Sequence, residues 1–234
     1  MKRDFLSLID FTREELDDIL HLAASLKRDL KAGRRSAPLA GRTLAMIFEK
    51  PSLRTRVTFE VGMNQLGGHA INLSPKDIQL GERESVADIA RNLERWVDLI
   101  MARTFSHQTL LDLSQHAAVP IVNGLSDLLH PCQVLSDCFT LVERRARLDS
   151  LRIVFIGDGN NMVNSWLNAA ARFGFTFAVA CPHGYEPDET VRAKAVALGA
   201  RIEITQDVMT AAKNADVLYS DVWVSMGQER EAAR

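Results

Sequence analysis

The sequence predicts an α/β protein made of two doubly wound parallel-sheet domains, the second incomplete. Three observations carry that expectation. From residue 43 onward, short apolar runs alternate with stretches of helical periodicity, the rhythm of a parallel sheet covered by helices. It breaks at the polar run Glu143-Arg144-Arg145-Ala146-Arg147 and restarts at Leu151–Ile156, which sets the domains at 1–148 and 149–234. After Gly227 only seven residues remain, mostly polar or small, so the second domain ends on a strand and loop.

At 234 residues, 47% hydrophobic and 25% charged, the chain can bury real cores in two domains. No run approaches the roughly 18 apolar residues of a membrane span, and Met1-Lys2-Arg3-Asp4 lacks the apolar centre of a secretory signal. A cytoplasmic location is the expectation. Three cysteines, an odd number, make no disulfide framework and suit a reducing compartment. A net charge of −2 gives no general attraction to nucleic acid or anionic membranes, so any anion specificity must be local.

The first helix opens on a complete signal, with Phe11 before Thr12, Glu15 three residues after Thr12, and Leu16 placed to staple against Phe11. Its apolar face is Leu16, Ile19, Leu20, Ala23, Leu26 and Leu30, and Gly33 suits its end. Strands then follow at Thr43–Phe48, Ala70–Leu73, Leu99–Ala102 and Pro120–Val122, with helices from about Ser52, Ser85 and Thr109. A helix beginning at Pro131 runs to about Arg147, proline standing at the first helical position where its missing N–H costs nothing. In the second domain the strands are Leu151–Ile156, Thr176–Ala180, Arg201–Ile204 and Asp216–Ser220. Helices end at Gly174 and Leu198, and a last one spans about Asp207 to Lys213.

Ligands of such sheets gather at the carboxyl ends of the strands. The residues to inspect are therefore Lys50 through Thr55, Arg103-Thr104, and Asn123 through Gln133. Within Phe48-Glu49-Lys50-Pro51-Ser52-Leu53-Arg54-Thr55-Arg56, hydroxyls and guanidinium groups sit where a helix begins, and free N–H groups and the helix dipole favour a dianion there. The residues alone leave open an exposed capping box with surface arginines. Arg103 projects from a strand end toward the same edge, or is a surface arginine. His130 and Gln133, three apart, share one face of their helix.

A metal or thiol reading of that segment fails on spacing. Cys132 and Cys138 lie six apart on a helix and point to different faces. His21, His69, His107, His116 and His183 show no ligand pattern. The stretch Gly157-Asp158-Gly159-Asn160-Asn161 after a strand invites a dinucleotide reading. It lacks the third glycine, and the next strand ends in Cys181-Pro182 where an acidic residue would hold a ribose, which argues against a nicotinamide cofactor. Asp221 at a strand tip suits an amine or a helix cap.

Taken together, the segments Phe48–Arg56, Ala102-Arg103-Thr104, His130-Pro131-Cys132-Gln133, Gly157–Asn161 and Asp221-Val222-Trp223-Val224-Ser225-Met226-Gly227 resemble the aspartate/ornithine carbamoyltransferase family. The last segment resembles the loop of its ornithine-using members. The resemblance implies transfer of the carbamoyl group of carbamoyl phosphate to the δ-amine of L-ornithine, giving L-citrulline and phosphate without metal or organic cofactor. It assigns Ser52, Arg54, Thr55 and the N–H of Leu53 to the phosphate. Arg103, His130 and Gln133 go to the carbamoyl end, with Arg103 and His130 polarising its carbonyl oxygen. Asn161, Asp221, Ser225 and Met226 go to ornithine. It also implies a homotrimer in which a neighbour's loop, with Gln79, completes each site.

The chain departs from the family in two places. Leu53 replaces the threonine most common in the Ser-Thr-Arg-Thr signature, keeping only the backbone donor. The His-Cys-Leu-Pro motif and the C-terminal helix do not occur before Arg234, and none of Cys132, Cys138 or Cys181 matches the motif's cysteine. Three readings follow: an ornithine carbamoyltransferase lacking its C-terminal part, a carbamoyltransferase for another amine, and a non-catalytic anion-binding or oligomerisation subunit.

Overall fold

The computed structural model describes residues 2–74, 78, 84–145 and 147–221. They form two compact units, Met1–Leu6 with Glu14–Asp127, and Ser7–Arg13 with Leu128–Arg234.

The first unit holds a four-stranded sheet of β1 (Thr43–Phe48), β2 (His69–Leu73), β3 (Leu99–Arg103) and β4 (Ile121–Leu125), in the order β2-β1-β3-β4 with every pair parallel. Its helices are α1 (Arg13–Lys31), α2 (Leu53–Gln65), α3 (Val86–Leu93) and α4 (His107–His116). Side chains alternate along a strand, so one sheet serves two cores. Ala45 and Ile47 join Ile100, Ala102 and Ile121 against Ala90 of α3 and Leu110 and Leu113 of α4. Leu44, Met46 and Phe48 join Met101 against Met63 of α2.

The strands are doubly wound because β1 lies between β2 and β3: the chain leaves β1 in one direction and returns on its other side. That reversal opens a crevice between the carboxyl ends of β1 and β3.

Several sequence expectations need correction. β4 runs on to Leu125, so Asn123 lies within a strand rather than after it. It is fully buried, its side-chain amide donates to the Leu6 carbonyl at 3.0 Å, and its backbone N–H donates to Phe5. The N-terminal segment thus bonds to β4 through Phe5 and Leu6. Gly124 has no room for a side chain, since a Cβ there would stand 2.5 Å from the Met101 sulfur. Arg103 closes β3, and α4 starts two residues earlier than its apolar pattern, because Ser106 accepts a hydrogen bond from the Gln108 N–H as its cap. In α1 only Leu16 and Leu20 are buried among the six face residues, while Leu30 is exposed.

The second unit repeats the plan with β5 (Arg152–Ile156), β6 (Thr176–Ala180), β7 (Arg201–Thr205) and β8 (Val217–Tyr219), ordered β7-β6-β5-β8 and all parallel. Here the crevice lies between the ends of β5 and β8. The helices are α5 (Pro131–Arg145), α6 (Asn161–Phe173), α7 (Glu189–Ala197) and α8 (Val208–Ala212). Helix α6 is buried along most of its length, and Trp166 stacks on Phe177 and meets Phe175 and Tyr219 edge-on. It ends at Gly174, whose φ of 75° is the left-handed conformation that glycine adopts without strain. Helix α5, counted with the first domain from sequence, groups with this unit.

Candidate functional site

In the first unit the crevice is lined from two strand ends held in register, with Phe48 opposite Arg103. The Glu49 N–H donates to the Arg103 carbonyl at 2.9 Å, and the Glu49 carboxylate accepts from the Phe105 N–H at 2.6 Å. These bonds fix the turns following β1 and β3 against each other. Buried Lys50 places its ammonium 4.7 Å from the centre of the Phe105 ring.

Ser52 caps α2: its Oγ accepts from the Thr55 N–H at 3.3 Å and donates to Thr55 Oγ1 at 3.0 Å. Both hydroxyls therefore face the helix start, beside the first N–H groups of α2. Arg54 projects from the same turn. Arg103 is buried, and burial lowers its pKa; the positive charge of Arg54 lowers it further. The charge of one guanidinium group thus acts on the other beside the N-terminus of α2, where the helix dipole adds to the positive potential. The structure thus brings Ser52, Arg54, Thr55 and Arg103 together in one unit. Leu53 is exposed and contributes no polar side-chain atom there.

In the second unit, His130 precedes α5 and its N–H donates to Ser165 Oγ at 2.7 Å. Ser165 Oγ donates in turn to the Asn161 carbonyl at 2.8 Å, so His130 and Asn161 share one hydroxyl. Asn160 caps α6 by accepting from the N–H groups of Met162 and Val163. Buried Asn164 donates to the Leu128 carbonyl at 3.1 Å and accepts from the Asp188 N–H at 3.1 Å, tying the entries of α5 and α7 to α6. Gln133 donates to Asp137, and Asp137 accepts also from the Tyr219 hydroxyl. Burial pushes the Asp137 carboxyl up against those two donors, and the charge of Asp221 pushes it further, which places Asp221 beside them.

Gln133, Asp221, His130 and Asn161 thus belong to one unit, while Gln79, Ser225 and Met226 lie outside the described residues. Asn164, Ser165, Asp137 and Tyr219 went unread in the sequence. Gln133 and Asp137 have the one-turn spacing that signals a pair, but Tyr219 lies 82 residues from Asp137 and no local pattern joins them. Cys138 is buried and Cys132 half-buried; burial pushes the Cys132 thiol up to about 12, as befits a packing residue rather than a nucleophile. Among the described residues no helix is long and apolar enough to cross a membrane.

Two parallel-sheet units, each with polar side chains at its switch point, define a two-domain α/β protein. Comparison with known proteins narrows the class. Residues 3–143 match the family described as "Aspartate/ornithine carbamoyltransferase, carbamoyl-P binding domain", and residues 149–234 match its "Asp/Orn binding domain". The chain belongs to the aspartate/ornithine carbamoyltransferase family.

Among curated relatives, the ornithine carbamoyltransferase of Anoxybacillus flavithermus is 53% identical, the match covering 98% of this chain and 74% of the relative. The ornithine carbamoyltransferase of Syntrophotalea carbinolica is 52% identical, over 100% of this chain and 78% of its own. Among solved structures, the ornithine carbamoyltransferase from Pyrococcus furiosus is similar with a TM-score of 0.94 at 48% identity, covering 98% of this chain and 75% of that one. The chain therefore spans about three quarters of the length of these relatives.

The Gly157–Asn161 turn yields a direct test. A Cβ on Gly159 would stand 2.2 Å from the Pro187 nitrogen and 2.4 Å from the Glu186 carbonyl carbon, both backbone atoms that cannot swing away. Gly159→Ala should lower stability by about 1–3 kcal/mol in urea unfolding, as overpacking of a fixed contact does. An unchanged midpoint would show that the two loops part freely.

Proposed function

We propose that this protein transfers the carbamoyl group of carbamoyl phosphate to the δ-amine of L-ornithine, giving L-citrulline and phosphate. The observation that carries the proposal is the Ser52-Arg54-Thr55 helix start beside Arg103, an anion receptor at the switch point of the first sheet. The names of the similar proteins support ornithine as the acceptor.

The residues divide the work. Ser52, Arg54, Thr55 and the Leu53 N–H hold the phosphate. Arg103, His130 and Gln133 hold the carbamoyl group, while Asn161, Asp221, Ser225 and Met226 hold ornithine, Asp221 through the α-ammonium. Attack by the neutral δ-amine on the carbamoyl carbon builds negative charge on the carbonyl oxygen. Donors from Arg103 and His130 stabilise that charge, and phosphate leaves toward the cations that already bind it. Much of the acceleration comes from orienting two small substrates.

We further infer a homotrimer, with Gln79 of each chain reaching a neighbour's site. The exposed stripe of Leu53, Val57 and Val61, four apart along α2, supports an apolar contact there. The free thiols Cys132, Cys138 and Cys181 support a cytoplasmic setting, and the reaction suits arginine biosynthesis or the arginine deiminase pathway.

Three measurements test this reading. Carbamoyl phosphate and L-ornithine should yield citrulline, and Arg54→Ala should weaken carbamoyl-phosphate binding by roughly tenfold to a hundredfold; unchanged affinity would sink the assignment. Because the amine must lose a proton before attack, kcat/KM for ornithine should rise with pH by about tenfold per unit below the amine's pKa, and a flat profile would contradict the mechanism. Light scattering should report three times the 26.0 kDa chain mass, a monomer overturning the inferred assembly.

A further inference from the structure

Gln133 and Asp137 stand one turn apart on α5, and Gln133 Nε2 donates to Asp137 Oδ1 at 3.0 Å. The second carboxylate oxygen, Oδ2, accepts from the Tyr219 hydroxyl at 3.0 Å. Tyr219 is itself fixed. Its ring stacks on Phe155 at 5.6 Å between centroids and meets Trp166 edge-on at 5.5 Å, so the hydroxyl is delivered to one place. Burial and the nearby carboxylates of Asp137 and Asp221 raise the Tyr219 pKa far above neutral, which keeps it a donor.

An ionised carboxylate only accepts, so it dictates which end of a neighbouring amide turns toward it. For Gln133 that end is the NH2 group, and Oε1 must then face away from Asp137. The two ends of a glutamine amide are nearly isosteric, and without such an anchor either can be presented.

We infer that Asp137 is a positioning residue that, by holding Gln133 Nε2, presents Gln133 Oε1 as an acceptor and so selects an acyl phosphate carrying an NH2 group over one carrying a methyl group. The inference rests on the proposed function, which assigns Gln133 to the carbamoyl end. A carbamoyl NH2 satisfies Oε1. Gln133 is exposed in the free protein; once a bound ligand covers it, the methyl group of acetyl phosphate leaves Oε1 facing a group that cannot donate, and discrimination by a polar group left unpaired is stronger than discrimination by size alone. Asp137 touches neither ligand in this account. It acts through Gln133, and Tyr219 keeps Asp137 from turning.

The test is the ratio of affinities for carbamoyl phosphate and acetyl phosphate, measured by calorimetric titration of the full chain. Wild type, Asp137→Ala, Gln133→Ala and the double variant are compared. Asp137→Leu, which preserves bulk, serves as a second variant should alanine fail to fold. Wild type should prefer carbamoyl phosphate, and either Asp137 variant should lower the ratio by roughly five- to tenfold. In the Gln133→Ala background the Asp137 substitution should cost nothing more, a non-additivity that a merely structural role would not produce. A folded Asp137 variant with an unchanged ratio, or a loss that adds in full to that of Gln133→Ala, overturns the positioning role alone. A wild type that binds neither compound, or both equally, overturns the proposed function and this role with it.

Discussion

The repulsion between two guanidinium groups is the interaction on which the first unit's site depends. Arg54 stands on the first turn of α2 and Arg103 on the last residue of β3, and the charge of the one lowers the pKa of the other. Nothing in folding favours such a pair for its own sake, because burying Arg103 already costs solvation. The pair is held by backbone structure: the Phe48–Arg103 register and the bonds of Glu49 to Arg103 and Phe105 leave the two strand ends no freedom to separate. In the proposed reaction the phosphate of the substrate offsets that repulsion, and the rigidity of the sheet favours binding.

The second unit uses different means. Among its described residues, polar groups are joined through shared partners. Ser165 serves both His130 and Asn161, Asn164 joins the entries of two helices to a third, and Asp137 links α5 to the end of β8. Such a network orients groups rather than attracting charge. The contrast matches the two ligands of the proposed reaction, an anion that arrives by charge and an amino acid recognised by the placement of several hydrogen bonds.

Much of this was legible in the sequence. The strands and most helices fall where apolar periodicity places them, because covered strands are largely apolar and connections between parallel strands carry helices. Ser52, Arg54, Thr55 and Arg103 were singled out because they follow strand ends, and the structure places all four in one unit. What escaped was whatever depended on a distant partner. Asn123 was placed after the strand rather than within it because its acceptor, the Leu6 carbonyl, is 117 residues away. Of the six apolar-face residues of α1 only Leu16 and Leu20 are buried, so periodicity reported a stripe without reporting what covers it.

Gly159 shows a second use for the glycine of a turn after a strand. Glycines after a β-strand suggest a phosphate turn, since a missing side chain lets a ligand approach the backbone. Here the close approach is made by the chain itself: the Gly159 N–H donates to the Tyr185 carbonyl at 2.7 Å, and Pro187 occupies the space of the absent Cβ. The same absence of a side chain serves an internal contact, and the residue it positions is Asn160, whose side chain caps α6. Asn161 therefore enters the helix from a turn locked on both sides. In the proposed ornithine site, which works by orientation, a glycine that fixes protein against protein does as much for the ligand as one that touches it.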